Sequence, residues 1–166
     1  MPSPTLREIQ APLKAQYKEH PESALITLHA EATLGENVTA ESKTSHSSII
    51  AGLHPATGGS GAEACSGDML LEALAACAGV TLNAVANALN ITLRSAKVVA
   101  EGDVDFRGTL GVSKEVPVGF KNISLKFELD TDAPQDQIDS LLKLTERYCV
   151  VFQTLKNPPE FTVALA

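Results

Sequence analysis

The stretch Met69–Leu89 (MLLEALAACAGVTLNAVANAL) constrains this chain more than any other segment. Read at helical spacing, it leaves almost no polar face. A helix that is apolar all round belongs at the centre of a structure, where every side is covered. Ser66 is placed to cap it, and Asp68 falls in the first turn, where a carboxylate complements the helix dipole. A buried helix is therefore expected from Ser66 or Gly67 to Asn90. Its small residues, Ala73, Ala75, Ala76, Ala78 and Gly79, let another helix approach closely. Glu72, Asn83 and Asn87 interrupt the run, so no uninterrupted apolar stretch reaches the roughly 18 residues of a bilayer span.

The flanking segments read mainly as strands. Ala24–Leu34 alternates apolar and polar residues, Gly35-Glu36-Asn37 is a turn signal, and Val38–Ser47 can pair back as a hairpin. Residues 52–67 (GLHPATGGSGAEACSG) form a loop. That loop holds no Lys and no phosphate-loop pattern, which argues against nucleotide binding. Ile91–Arg107 reads as a long strand with a kink or turn near Gly102, followed by a loop at 108–119. Phe120–Thr131 alternates again. Thr131 or Asp132 is expected to cap a second helix, with Pro134 near its first position. In it Ile138, Leu141, Leu142, Thr145, Cys149 and Phe152 keep helical spacing. Asn157-Pro158-Pro159 stops that helix, and Phe161–Leu165 reads as a final strand.

This order gives an α+β fold with antiparallel sheets around a buried central helix. Residues 1–23, punctuated by Pro2, Pro4, Pro12 and Pro21, read as an N-terminal arm that packs on a partner subunit. A short helical pattern lies around Thr5–Gln10, and residues 24–166 form the domain. One modest sheet cannot cover a helix apolar on every side, so an intertwined homodimer is expected.

Composition excludes several function classes. The 166 residues suit one domain, and a net charge of −7 disfavours binding to phosphate backbones. The beginning MPSPTLREIQ has no apolar segment of signal-peptide type, so a cytoplasmic protein without a membrane role is expected. Three cysteines, Cys65, Cys77 and Cys149, are an odd number. That argues against a secreted disulfide framework and allows one redox pair plus one spare. His29, His46 and His54 lack zinc-ligand spacing, so no metal is expected. No G-x-S-x-G pattern supports a serine hydrolase.

Cys77 lies mid-helix and Cys149 on the apolar face of the later helix. Both helices must face one core, which allows the two thiols to lie close together. Such a dithiol carries out peroxide reduction or thiol exchange, whereas two buried cysteines also serve as small hydrophobes. Spacing leaves both readings open.

The segment SGDMLLEALAACAGVTL, followed about seventy residues later by ERYCVVFQTLK, resembles the osmotically inducible protein C and organic hydroperoxide resistance (OsmC/Ohr) family. The resemblance covers roughly residues 24–165. It implies an intertwined homodimer with two active sites at the subunit interface, needing neither metal nor organic cofactor. Cys77 would be the peroxidatic thiol and Cys149 the resolving one. The substrates would be alkyl or fatty-acid hydroperoxides, and a lipoyl-type dithiol would restore the pair. The alternatives are a binding module for apolar ligands on the same fold, or a redox sensor.

Two departures place the chain nearer the divergent OsmC-like branch. The Ohr pattern has a Glu ten residues before the reactive cysteine, where this chain has Gly67. Asp68 is the nearest carboxylate, yet on one regular helix it sits about 180° and 13.5 Å from Cys77. The Ohr pattern also has an Arg in the first hairpin, and residues 24–53 contain none. Burial raises a thiol pKa, so a cation is expected near Cys77. Arg7, Arg94, Arg107 and Arg147 are the candidates, and Arg147, beside Cys149, has the best local case. Glu72 is a salt-bridge partner or a support for the site. Cys65, read in a loop, is a bystander or an alternative disulfide partner.

Overall fold

The computed structural model describes residues 4–165. The chain divides into two compact units, residues 1–68 and 69–166.

The first unit begins with α1 (Leu6–Glu19). Thr5 caps it: its hydroxyl accepts from the Glu8 N–H at 3.3 Å, and the Glu8 carboxylate accepts from the Thr5 N–H at 2.7 Å. This reciprocal pair satisfies two helix-end donors and holds Glu8 below the usual carboxylate range. The expected Thr5–Gln10 helix is thus too short. Pro12 removes one backbone donor without ending it, and Leu13–Glu19 continues the spiral.

A four-stranded sheet follows, in the order β1 (Glu31–Leu34), β2 (Ala40–Lys43), β3 (Ser48–Gly52), β4 (Ala64–Cys65). β1 pairs antiparallel with β2 (Glu31↔Lys43 to Leu34↔Ala40), as the hairpin signal predicts. Three details differ from the sequence reading. Pro21–Ala24 is a 3-10 turn, and 25–30 has no regular structure, so the first strand is only four residues long. β3 is an extra strand, antiparallel to β2. Cys65 stands in β4, parallel to β3 opposite Gly52, and not in a loop. Gly52 permits a close approach there, since a Cβ on it would come within 2.8 Å of the Glu63 Cβ. Among the described residues of this unit none is buried.

The second unit holds the core. Helix α2 (Ser66–Leu89) matches the expected central helix to within a residue at each end. Asn90 ends it in left-handed backbone (φ 55). The Ile91 N–H reaches the Ala86 carbonyl at 2.9 Å and the Asn90 N–H the Asn87 carbonyl at 3.2 Å, a Schellman closure. Ile91 thereby drops into the core beside Leu82, Val85, Ala86 and Leu141.

β5 (Ser95–Val104) and β6 (Phe120–Asp130) form a two-stranded antiparallel sheet. Val98, Phe127 and Leu129 from it pack against that core cluster. The strand runs through Gly102 without the expected turn. Gly102 lies under the Phe120 ring, and the register shifts instead at Asp103/Val104. Asp105 caps the short helix α3 (Phe106–Thr109), which opens the expected loop. Helix α4 (Gln135–Tyr148) starts behind Pro134. Neither Thr131 nor Asp132 caps it. The Thr131 hydroxyl donates to the Thr92 carbonyl at 2.8 Å and accepts from Ala133 N–H at 3.2 Å, while Asp132 is held by Arg94. Residues 160–165 form no strand, and Phe161, Val163 and Leu165 are exposed.

Helix α2 is not covered on every side within one chain. Leu74, Ala78, Leu82, Val85 and Ala86 are buried, whereas Leu70, Val80 and Leu89 on the other sides are exposed, Val80 to 73%. The interruptions by Glu72, Asn83 and Asn87 also matter less than the sequence implies. The helix is long and apolar enough to cross a membrane, with a mean hydropathy of 1.7 over its best 18 residues. Its buried face packs on the second unit's own sheet and α4, the position of a core helix.

Candidate redox site

The two helical cysteines meet in the second unit. Cys77 is half-buried on α2, and Cys149 is fully buried after α4. Their side chains lie close enough for each to act on the other's proton affinity.

The expected continuous helix through Phe152 breaks at Cys149. Cys149 ends α4 in extended backbone (φ −73, ψ 108), and a separate helix, α5 (Val150–Lys156), begins behind it. The Cys149 N–H still returns to the Thr145 carbonyl at 2.9 Å, and the next backbone bond in the series is Gln153 N–H to the Cys149 carbonyl, 2.9 Å. In an unbroken helix the N–H groups of Val150, Val151 and Phe152 would bond back to residues 146–148. Freed from the helix, they act on sulfur: the Val151 and Val150 N–H groups lower the Cys77 thiol, and those of Phe152 and Val151 lower Cys149.

The two thiols are pushed in opposite directions. Burial pushes the Cys77 thiol up, but the Val151 N–H, the Cys149 thiol, the Val150 N–H and the Thr81 hydroxyl all favour its thiolate. The balance holds Cys77 below the ordinary thiol value. Burial also raises Cys149; the Phe152 N–H works against this, and the neighbouring Cys77 adds to the rise. Cys77 is therefore the thiol that gives up its proton more readily, and Cys149 the one that holds it. That is the charge arrangement of a nucleophile beside a proton-bearing partner.

The expected cation is not among the described groups that act on Cys77. Arg94 pairs with Asp130 and Asp132, and Arg107 with Asp105. Arg147 lies over the Tyr148 ring at 5.6 Å and lines an open groove of about 510 Å³ with Val150, Gln153 and Thr154. Arg7 lies on α1 in the other unit. Peptide N–H groups take the part that the sequence reading gave to a side-chain cation.

Asp68 and Cys77 share the unbroken α2, so about 13.5 Å of axial rise separates them. Asp68 is not among the groups acting on Cys77. Glu72 is exposed and enters no salt bridge of the described residues. Cys65 is half-buried in β4 of the other unit. No three His, Cys, Asp or Glu among the described residues gather as metal ligands.

Sequence reasoning missed Thr81 and the three freed peptide N–H groups. Thr81 was within reach of it, because it follows Cys77 by one helical turn on the same face. The amides were not, because backbone donors carry no residue signature.

The profile of the OsmC-like protein family matches residues 59–164, well over half of the chain. The chain belongs to that family. It is similar to the crystal structure of an OsmC-like protein from Mycoplasma pneumoniae, with TM-score 0.66 and 21% identity over 80% of this chain and 89% of that one. An organic hydroperoxide resistance protein OsmC from Legionella pneumophila is similar at TM-score 0.62 and 21% identity, covering 80% and 91% of the two chains. An organic hydroperoxide resistance protein from Elizabethkingia anophelis matches at TM-score 0.64 and 17% identity, covering 81% and 91%. No curated protein matches the chain.

Proposed function

We propose that this chain reduces organic hydroperoxides, with Cys77 as the attacking thiolate and Cys149 as the resolving thiol. The observation that carries this reading is the pairing of two neighbouring thiols with opposite proton affinities. Two similar structures that are organic hydroperoxide resistance proteins support it.

The chemistry balances in three steps. The Cys77 thiolate attacks the outer peroxide oxygen, the O–O bond breaks, and the alkoxide leaves to take up a proton as an alcohol. Cys77 becomes a sulfenic acid. The Cys149 sulfur then displaces hydroxide from that sulfenic acid; with the thiol proton this leaves as water, and a disulfide remains. A lipoyl-type dithiol reduces the disulfide by two successive exchanges and is itself oxidised to its cyclic disulfide. Apolar neighbours in sequence, Ala76, Ala78, Val150 and Val151, suit an alkyl peroxide better than hydrogen peroxide.

The working unit in this reading is a homodimer. A sheet unit with no buried residue among those described and a central helix exposed along Val80 both call for cover. A second copy supplies it, with residues 1–23 as an arm packed on the partner and the rest as the domain.

A second reading has its own observation. No cation of the described residues assists Cys77, which fits a module that binds apolar ligands or senses oxidants without efficient turnover. Consumption of cumene hydroperoxide with a dihydrolipoyl reductant separates the two. The proposed reading predicts turnover that rises with pH through a midpoint below that of an ordinary thiol. Equal inertness at every pH, with retained affinity for a fatty-acid probe, would establish the binding module instead.

A further inference from the structure

The break at Cys149 has a fastener. Opening a helix between α4 and α5 strands the Glu146 carbonyl, which in a continuous helix would accept from the Val150 N–H. The Gln153 side chain fills that vacancy: its Nε2 donates to the Glu146 carbonyl at 2.8 Å, seven residues back. The same residue anchors α5, since its backbone N–H donates to the Cys149 carbonyl at 2.9 Å. Asn157 then buttresses it, donating from its N–H to the Gln153 carbonyl at 2.9 Å and from Nδ2 to Gln153 Oε1 at 3.3 Å. One residue thus binds both sides of the break, with its side-chain oxygen already engaged and its nitrogen directed across.

We infer that Gln153 is a positioning residue: it locks the α4–α5 break open, and the open break is what aims the Val150 and Val151 N–H groups at the Cys77 sulfur. Without the side-chain donor, the Glu146 carbonyl regains its normal helical claim on the Val150 N–H. That amide then leaves the sulfur, and Val151 follows as the helix closes. Gln153 touches neither sulfur among the groups that act on them. Those groups are Cys149, Thr81 and the peptide N–H groups on the Cys77 side, and Cys77 with the Phe152 and Val151 N–H groups on the Cys149 side; Cys149 is the titratable group that acts on Cys77. The inference rests on Cys77 being the reactive thiol of the proposed function, but its test needs no peroxide.

The test is the rate of iodoacetamide alkylation of each cysteine against pH, resolved by peptide mapping, in the wild type and in Gln153→Met, which keeps length and loses the donor. Loss of donors to a thiolate is expected to slow Cys77 alkylation at pH 7 about tenfold and to raise its midpoint by about one pH unit. Cys65, in the other unit, is the internal standard and should keep its wild-type rate, while Cys149, fully buried beside the altered residue, should stay slow to react if the unit is folded. A Cys77 profile that coincides with the wild type would overturn the inference. A second measurement on the unaltered protein covers the case in which the variant fails to fold. The Val150 and Val151 amide proton shifts should follow the Cys77 titration, and one Gln153 side-chain amide proton should exchange slowly with solvent. Amides indifferent to that titration would equally overturn it. A chain inert to every peroxide that still shows the Gln153 effect would remove the proposed function and leave this inference standing.

Discussion

Replacing Cys77 by Ser is expected to abolish hydroperoxide consumption, lowering kcat/KM by roughly a thousandfold or more, as loss of a nucleophile does. A hydroxyl in that place cannot be deprotonated by weak neutral donors, and oxygen cannot accept the peroxide oxygen as sulfur does. Cys149→Ser is expected to behave differently. The Ser hydroxyl keeps a donor beside Cys77, so the first attack survives. Without a second sulfur the sulfenic acid has no partner, and the enzyme should consume about one peroxide per chain and then stall. Stopped-flow peroxide traces read both outcomes. An active Cys77→Ser protein would remove the sulfur chemistry, and steady turnover by Cys149→Ser would remove Cys149 from the resolving role.

The second large effect concerns the frame that brings the sulfurs together. Leu141 is completely buried and packs with Leu82, Val85, Ala86 and Ile91, joining α4 to α2. Leu141→Ala is expected to cost about 3 kcal/mol, because the deleted carbons lose their burial and leave a cavity. Cys149 follows Leu141 by two helical turns on the same buried face, through Thr145, whose hydroxyl donates to the Leu141 carbonyl at 2.8 Å. The disulfide should therefore form more slowly in this variant as well. Leu110→Ala, at an exposed position, should change stability by less than about 0.5 kcal/mol. Urea denaturation of the reduced proteins compares the two.

Much of the frame was legible because it rests on side-chain periodicity. The central helix announced itself by apolar residues at every phase, and β6 by strict alternation from Ile123 to Leu129. Cys149 was correctly placed against the core, since Leu141, Thr145 and Cys149 repeat every four residues. The same spacing hid the break. A residue at helical phase gives no hint that its ψ has turned to 108°, and no Pro or Gly marks the spot. The cation expected near Cys77 was a sound inference from thiol electrostatics, yet the donors proved to be peptide groups released by that break.

The ends of the chain were harder for a different reason. Leu25, Ile26 and Leu28, like Phe161, Val163 and Leu165, lie in segments whose pattern reads as strand, yet they are exposed and, among the described residues, paired with no strand. Alternation records a tendency to form a strand, but a strand needs an edge to pair with. In α1 the reverse holds. The helical pattern read around Thr5–Gln10 falls short of Pro12, yet α1, capped by Thr5 and Glu8, runs through Pro12 to Glu19.

The most direct measurement is the mass of cysteine-linked peptides after treating the reduced protein with one equivalent of cumene hydroperoxide. The account predicts one disulfide, joining Cys77 to Cys149, with Cys65 left as a thiol. A Cys77–Cys65 link, or oxidant consumed with Cys77 untouched, would contradict it.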